Sequence, residues 1–140
     1  MPDSQLHIGD VARQTGITPR MIRHYEKLGL IPPPVRQGSG YRSYTRADVD
    51  RLRFIRSARD LGFPLAETAS LLDLWQNPDR ASSEVKAMAL ARAEALHQQA
   101  QDLEDMRTKL IALAATCPGD DQPGCPILDS MAGAPVRTTA

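Results

Sequence analysis

The stretch IGDVARQTGITPRMIRHYEKLGLI, residues 8–31, decides the fold of this 140-residue chain. Apolar residues recur at helical spacing on both sides of Gly16, and glycine adopts the left-handed turn conformation without steric cost. Thr18 offers an N-cap oxygen, and Pro19 suits the first position of a second helix. The stretch therefore predicts two short helices that are joined by a sharp turn.

The second helix is predicted to have two chemically different faces. The side packed against the first helix is expected to hold Ile17, Met21 and Ile22. The outer side carries Arg20, Arg23, His24 and the polar edge of Tyr25. Arginines at the start of the second helix are typical of helix-turn-helix proteins, which place that helix in the major groove of DNA. An ordinary helical hairpin with a solvated basic face would show the same local pattern.

A two-stranded wing is predicted after these helices. Three prolines at positions 32–34 force an extended chain, and the sequence GSG at positions 38–40 supplies a turn. Short strands are expected on either side of the turn, at 35–36 and 41–44. Guanidinium and phenol groups suit contacts with phosphate oxygens, and the wing carries Arg36, Tyr41, Arg42 and Tyr44.

Two more helices are expected before the middle of the chain. Thr45 is predicted to cap a helix over residues 46–60, with Asp48 at its third position. The segment GFPLAETASLLDLWQ, residues 62–76, predicts the next helix. Its expected inward stripe consists of Leu65, Ala69, Leu72 and Trp75.

Charge is divided unevenly along the chain. Residues 1–60 carry 11 basic and 6 acidic side chains, a net charge of +5, whereas residues 61–140 carry 6 and 11, a net charge of −5. A basic first half suggests a polyanionic partner. The chain shows no membrane-length apolar run and no signal peptide, so we expect a cytoplasmic protein with reduced thiols. No nucleophile–base pair or phosphate loop suggests an enzyme.

A long helix is predicted over residues 81–115, which contain neither proline nor glycine. At a rise of roughly 1.5 Å per residue it would be about 50 Å long. Small and apolar residues recur in steps of four and three, which is the spacing of a coiled-coil seam. The seam consists of Ala89, Ala93, Leu96, Ala100, Leu103, Leu110 and Ala114, with Arg107 at one position. A second copy of the chain is expected to cover it; the alternative is a helix packed along its own domain.

Both cysteines lie in the loop TCPGDDQPGC, residues 116–125, and three interpretations fit them. A structural disulfide requires an oxidising compartment. A zinc site usually has four ligands, whereas this loop offers Cys117, Cys125 and two aspartates, without a histidine. A site with two sulfurs alone suits a soft monovalent ion such as Cu(I). Prolines and glycines would hold the sulfurs facing each other, and amides opening a short helix at 127–131 would stabilise the remaining negative charge.

Motifs over residues 8–63 resemble the winged-helix DNA-binding domain of the MerR family of bacterial transcription regulators. They are the helix IRHYEKLGL, the wing GYRSY and the junction LGF. The resemblance implies a dimer on an inverted-repeat operator, with Thr18 at the DNA interface and three side chains near base edges, Arg20, Arg23 and His24. It also implies that the phosphates are held by Tyr25, Arg36, Tyr41, Arg42 and Tyr44. His24 stands where many relatives have an aromatic residue.

The loop CPGDDQPGCPI, residues 117–127, is similar to the metal-binding loop of the copper-responsive, CueR-like branch of that family. The similarity implies that Cys117 and Cys125 bind one Cu(I) ion, or the chemically similar Ag(I) or Au(I). In this family the long helices pair as an antiparallel coiled coil, which would bring the loop near Ser82 of the partner subunit. Branches that sense divalent ions carry cysteine at that position, so serine favours a monovalent ion. Serine there also suits a plain N-cap.

The expected architecture is mainly α-helical. It comprises a winged helix-turn-helix DNA-binding domain over 1–75, a long dimerisation helix over 76–116, a metal-binding loop with a short helix over 117–131, and a flexible tail over 132–140. The resemblance implies a Cu(I)-responsive activator of copper-resistance genes that distorts promoter DNA for RNA polymerase. The alternatives are a divalent-ion sensor of the same family, a regulator switched by a disulfide between its two cysteines, and a copper-buffering protein without a DNA role.

Overall fold

The computed structural model describes residues 5–36 and 42–133 of the chain. Six helices and two short strands follow each other in these ranges: α1 (Ile8–Thr15), α2 (Pro19–Lys27), β1 (Val35–Arg36), β2 (Arg42–Ser43), α3 (Arg46–Asp60), α4 (Leu65–Gln76), α5 (Ser82–Ala115) and α6 (Pro126–Met131). The chain divides into two compact units, Met1–Arg92 and Ala93–Ala140, and the boundary falls within α5. The mainly helical, winged helix-turn-helix architecture that the sequence predicts is confirmed.

The turn between α1 and α2 forms for the reasons that the sequence indicates. Gly16 ends α1 with φ +73°, and its N–H donates to the carbonyl of Ala12 at 2.8 Å. The Thr18 side chain accepts a hydrogen bond from the N–H of Met21 at 3.2 Å, and Pro19 occupies the first turn of α2. These two caps satisfy backbone groups that a helix end leaves unpaired.

The strand pair of the wing and the start of α3 also form as expected, and the predicted turn at 38–40 lies outside the described residues. Strands β1 and β2 pair antiparallel, with Val35 opposite Ser43, and Tyr44 makes an isolated bridge to Leu6. Thr45 and Asp48 form a reciprocal capping box at the start of α3: the threonine hydroxyl accepts from the Asp48 N–H, and the aspartate carboxylate accepts from the Thr45 N–H. The residues 134–140 of the expected tail lie outside the described part of the chain.

The core of the first unit lies where α1, α2, α3 and α4 meet the chain after α2 and the residue after β2. Its buried members are Val11, Ile17, Ile22, Tyr25, Ile31, Tyr44, Val49, Leu52, Ile55 and Leu72. A smaller cluster of Ala58, Phe63 and Leu71 packs against Val85 and Met88 from the first turns of α5. The start of α5 therefore belongs to the same packed body as the helix-turn-helix.

Two of the predicted inward faces differ in the structure. Met21 is 39% exposed because the buried face of α2 is centred on Ile22 and Tyr25. On α4 the buried residues are Thr68, Leu71 and Leu72, so the inward stripe is rotated from the predicted one. Thr68 can be buried because its hydroxyl donates to the carbonyl of Pro64 at 3.1 Å.

Trp75, predicted to lie on that stripe, is 41% exposed. Its ring stacks on Phe54 of α3, with ring centroids 4.8 Å apart and 11° between the ring planes. The stacking places one face of the indole against α3 and leaves the other side accessible. Trp75 therefore contributes to packing from the edge of the core.

The second unit consists of the rest of α5, a loop and α6. No residue of α5 is buried, although the helix carries several large apolar side chains. Gly119, in the loop, has φ +67°, a conformation that favours glycine. No helix in the described part of the chain combines the length and hydrophobicity that crossing a bilayer would need.

Candidate DNA interface and thiol loop

Exposed basic side chains cluster along α2. Arg20, Arg23, His24 and Lys27 line an open groove together with Glu26, Pro33 and Pro34. Within residues 5–36 and 42–133, no ion pair joins Arg20, Arg23 or Lys27 to a carboxylate. These cationic groups are therefore available for an external polyanion.

The arginines of α3 are used differently. Arg53 donates to the carbonyl of Gln14 at 3.4 Å, and Arg56 donates to the carbonyl of Thr15 at 2.9 Å. These carbonyls end α1, where a helix has unpaired acceptors and a partial negative charge. The α3 guanidinium groups thus hold the helix-turn-helix in place, and the charge offered to solvent on α2 is distinct from them.

Both tyrosines that were expected to contact phosphates from the described part of the chain are buried. Tyr25 is 6% exposed, and Tyr44 is fully buried with its hydroxyl donating to the Glu26 carboxylate. The bridge between Tyr44 and Leu6 holds this part of the wing on the body of the first unit. The expectation of a solvent-facing phenol group is therefore wrong for Tyr44. The rings of both residues contribute to the core, and a phosphate contact of the Tyr25 hydroxyl stays a prediction.

Among the other expected DNA contacts, the structure describes the side chain of Thr18 but not those of the remaining wing residues. Thr18 is exposed and its side chain caps α2, so it fixes the start of the helix that carries Arg20. Tyr41 lies outside the described residues, as do the side chains of Arg36 and Arg42. Their role at phosphates stays a prediction.

Removing the Arg23 side chain is expected to weaken DNA binding. Because Arg23→Ala leaves one fewer cation at the DNA, the plot of log affinity against log salt concentration should become shallower by roughly one unit for each phosphate that is no longer neutralised. The measurement is a salt series of dissociation constants on a promoter fragment. Lys109→Ala removes one exposed positive charge from the second unit and should leave the slope unchanged. Equal slopes for wild type and Arg23→Ala would contradict the assignment.

The two cysteines lie at the two ends of the loop that links α5 to α6. Cys117 follows α5, and its N–H donates to the carbonyl of Ala114 at 3.2 Å. Cys125 is the N-cap residue of α6, and its carbonyl accepts from the N–H of Asp129 at 3.1 Å. Both thiols are free and half-buried. Each end of the loop is therefore tied to a helix through the backbone of a cysteine.

The donor set of this loop is small. No group of three or more His, Cys, Asp or Glu side chains suited to a metal ion occurs within residues 5–36 and 42–133. Of the loop aspartates, Asp120 accepts a hydrogen bond from the N–H of Gln122 at 3.0 Å, which shapes the turn. Two thiols without further ligands fit a soft ion of low coordination number better than the four ligands of a structural zinc site.

Ser82 is the first residue of α5 and belongs to the first unit. Because α5 begins at Ser82 itself, the residue at the N-cap position is Ala81. Ser82 therefore does not occupy the N-cap position that was expected for it. Its side chain is exposed. Proximity of Ser82 to a cysteine loop of a partner subunit stays a prediction.

The expected dimer seam is accessible in the single chain. Its members Ala89, Ala93, Leu96, Ala100, Leu103 and Leu110 are all exposed, and Leu103 and Leu110 are 63% and 56% exposed. Met106, which the seam inferred from the sequence does not include, is 57% exposed and lies three residues after Leu103 on the same side of the helix. Leu103, Met106 and Leu110 are also spaced by steps of three and four residues, the spacing of a coiled-coil seam.

A winged helix-turn-helix with a free basic face on its second helix defines a DNA-binding protein. Residues 6–74 match the MerR HTH family regulatory protein family, and residues 49–113 match the family described as MerR, DNA binding. The chain belongs to the MerR family of HTH transcriptional regulators. It is therefore a transcriptional regulator and not an enzyme, as the sequence indicates.

The similarity to individual members spans most of the chain. The HTH-type transcriptional regulator CueR of Yersinia pestis is 47% identical over 91% of this chain and 92% of its own. The structure of PbrR691 from Ralstonia metallidurans CH34 in complex with lead(II) has a TM-score of 0.77 at 28% identity, covering 90% of this chain and 98% of that one. The structure of MerR from Bacillus megaterium MB1 in complex with mercury(II) has a TM-score of 0.67 at 32% identity, covering 91% and 99%.

Proposed function

We propose that this regulator is a cytoplasmic homodimer that binds promoter DNA and activates transcription in response to Cu(I), or to the chemically similar Ag(I) or Au(I). One ion per loop would be held by Cys117 and Cys125. The observation that carries the proposal is the pair of free, half-buried thiols that ends a short loop with no third metal-binding side chain grouped beside it in the described residues.

The chemistry of the two donors favours a monovalent ion. Thiolates are soft ligands and select soft ions, and Cu(I) accepts two of them in a linear arrangement. A divalent ion in a site with two sulfurs would need further ligands. The CueR-like sequence of the loop and the 47% identity to a CueR protein support the same assignment. When bound, the ion would supply a cross-link between the two cysteines.

The main alternative function is the sensing of a divalent ion, because relatives have been solved with such ions. PbrR691 and the Bacillus megaterium MerR were solved with lead(II) and mercury(II), so the fold accommodates regulators of other metals. In this chain the sequence position at which divalent-ion branches are expected to carry cysteine holds Ser82. A neutral hydroxyl there supplies no third thiolate.

The apolar face of α5 is the reason for proposing a dimer. Leu96, Leu103, Met106 and Leu110 are exposed in the single chain, although burial of such side chains is a main source of stability. Coiled-coil pairing with a second copy would cover them. The proposed activation step is a change in the DNA-binding units that bends and untwists promoter DNA, which brings promoter elements into register for RNA polymerase.

A metal titration tests this function directly. Reduced protein is bound to DNA carrying its own promoter, and transcription by RNA polymerase is measured with Cu(I), Ag(I), Zn(II) or Hg(II). Activation by Cu(I) and Ag(I) alone is the expected result. Activation by Zn(II) or Hg(II) alone would establish the divalent-ion alternative, and activation by peroxide without a copper response would establish the redox switch.

Ser82→Cys is expected to broaden the metal response. If the partner's loop approaches this position, a third thiolate meets the coordination demand of a divalent ion, so activation by Hg(II), Cd(II) or Zn(II) should rise while part of the Cu(I) response remains. The substitution nearly conserves side-chain volume, and the site is exposed, so stability should change little. The readout is promoter activity for each ion in cells that carry the variant.

Ser83→Cys is the matched control for this experiment. It adds the same thiol one residue later on α5, about 100° around the helix, where it should not complete the same site. A gain with Ser82→Cys alone supports the proposed proximity. If neither variant responds to divalent ions, or both respond equally, Ser82 has no special place at the metal site.

A further inference from the structure

We propose that Met21 is a specificity-determining residue of the DNA interface and contacts the 5-methyl group of a thymine in the major groove. Met21 is the third residue of α2 and is 39% exposed. The next residue, Ile22, is fully buried, and Tyr25 is 6% exposed. Met21 is thus an apolar side chain that the core of the first unit leaves accessible.

The position of Met21 places it among groups that suit DNA. Its backbone N–H is held by the Thr18 cap at 3.2 Å, so the first turn of α2 is fixed. Arg20 precedes it and His24 follows one turn later, and both are exposed. In a helix-turn-helix, residues near the N-terminus of the second helix contact base edges. The exposed side chain of Met21 therefore belongs to the part of α2 that meets the bases.

Thymine is the ligand that fits an apolar side chain at this place. Among the bases of unmodified DNA, only thymine presents a methyl group in the major groove, and apolar contact is the usual way in which that methyl is recognised. Methionine is unbranched and flexible, so its side chain can adjust its conformation to pack against a methyl group. The arginines beside it suit phosphates and guanine edges. Met21 would add a preference for an A·T pair that the cationic residues do not provide.

Leu28 is also exposed, at 49%, but it does not compete for this role. It forms the C-cap of α2, at the other end of the helix from Thr18. Nearly two turns of helix separate it from Met21 in the first turn of α2. Exposure alone therefore does not distinguish Met21; its place in the first turn does.

Deoxyuridine substitution tests the proposal because it removes only the thymine methyl group. Each thymine of the protein's own operator is replaced one at a time, and dissociation constants are measured for wild type and Met21→Ala. Wild type should bind about fourfold more weakly when one particular thymine in each half of the operator is replaced. A change of about fourfold corresponds to the burial of one methyl-sized group. Met21→Ala should bind the thymine and deoxyuridine operators equally at that position.

Two further variants separate contact from folding. Met21→Leu keeps an apolar side chain and should retain most of the methyl dependence, whereas Met21→Gln has a similar length but a polar end and should lose it. Thermal melts establish that each variant is folded under the binding conditions. The proposal is overturned if wild type shows no thymine at which the methyl matters, or if wild type and Met21→Ala lose the same affinity at every position. A general loss of affinity without a change in methyl dependence would also overturn it.

Discussion

Cys117→Ser is expected to abolish transcriptional activation by Cu(I) while the metal-free protein still binds its operator. The substitution replaces a soft thiolate with a hydroxyl that is a poor ligand for Cu(I). Loss of a direct ligand should lower the affinity for the ion by more than about 100-fold, which exceeds the usual effect of changing an outer-shell group. Promoter activity and Cu(I) binding are measured on the same reduced protein.

The other residues of the loop supply the controls. Cys125→Ser should have the same effect, because a linear pair needs both sulfurs. Asp121→Asn changes a neighbouring carboxylate and should preserve the response, since the proposed site uses sulfur alone. A full Cu(I) response in either cysteine variant would show that the pair is not the sensing site. Loss of operator binding in the metal-free variants would instead assign the cysteines a structural role.

Leu103→Glu is expected to dissociate the dimer and thereby to abolish high-affinity operator binding. The side chain is 63% exposed in the single chain and lies on the apolar face of α5. In a coiled-coil partner interface the glutamate would be a buried, unpaired charge, which is strongly unfavourable. Sedimentation of wild type should give a dimer at micromolar concentration, and the variant should sediment as a monomer or as unfolded chain.

Gln101→Glu is the matched control for the dimer. It places the same charge on α5, two residues earlier and on the opposite side of the helix from Leu103. The control should remain dimeric and bind the operator with unchanged affinity. A wild-type protein that sediments as a stable monomer, or a Leu103→Glu variant that stays dimeric, would contradict the proposed interface.

The sequence predicted the local structure well because its determinants lie within a few residues of one another. Gly16 ends α1, Thr18 and Pro19 start α2, and Thr45 pairs with Asp48 at the start of α3. Each of these features depends on a cap or turn closed over three or four positions. The family motifs extended the prediction to the winged fold, and the relatives confirm it.

The face that each residue presents was less predictable. Periodicity placed Met21 inside, and the predicted wing and the family resemblance placed Tyr44 at phosphates, whereas the structure exposes Met21 and buries Tyr44. Residues at the edge of a helical stripe, or at the end of a short strand, take their environment from whatever packs against them. For Tyr44 that includes Leu6 and the carboxylate of Glu26, neither of which is a close neighbour in sequence.

The sequence by itself therefore determined the order of elements, the end of α1, the starts of α2 and α3, the basic character of α2 and the pair of thiols in one loop. Only the tertiary structure decided which cationic groups are bonded to the protein's own backbone. Arg53 and Arg56 are as basic as Arg20 and Arg23, but they donate to carbonyls at the end of α1, 39 and 41 positions away. Contacts across such separations depend on how the helices pack, and no local pattern of residues encodes them.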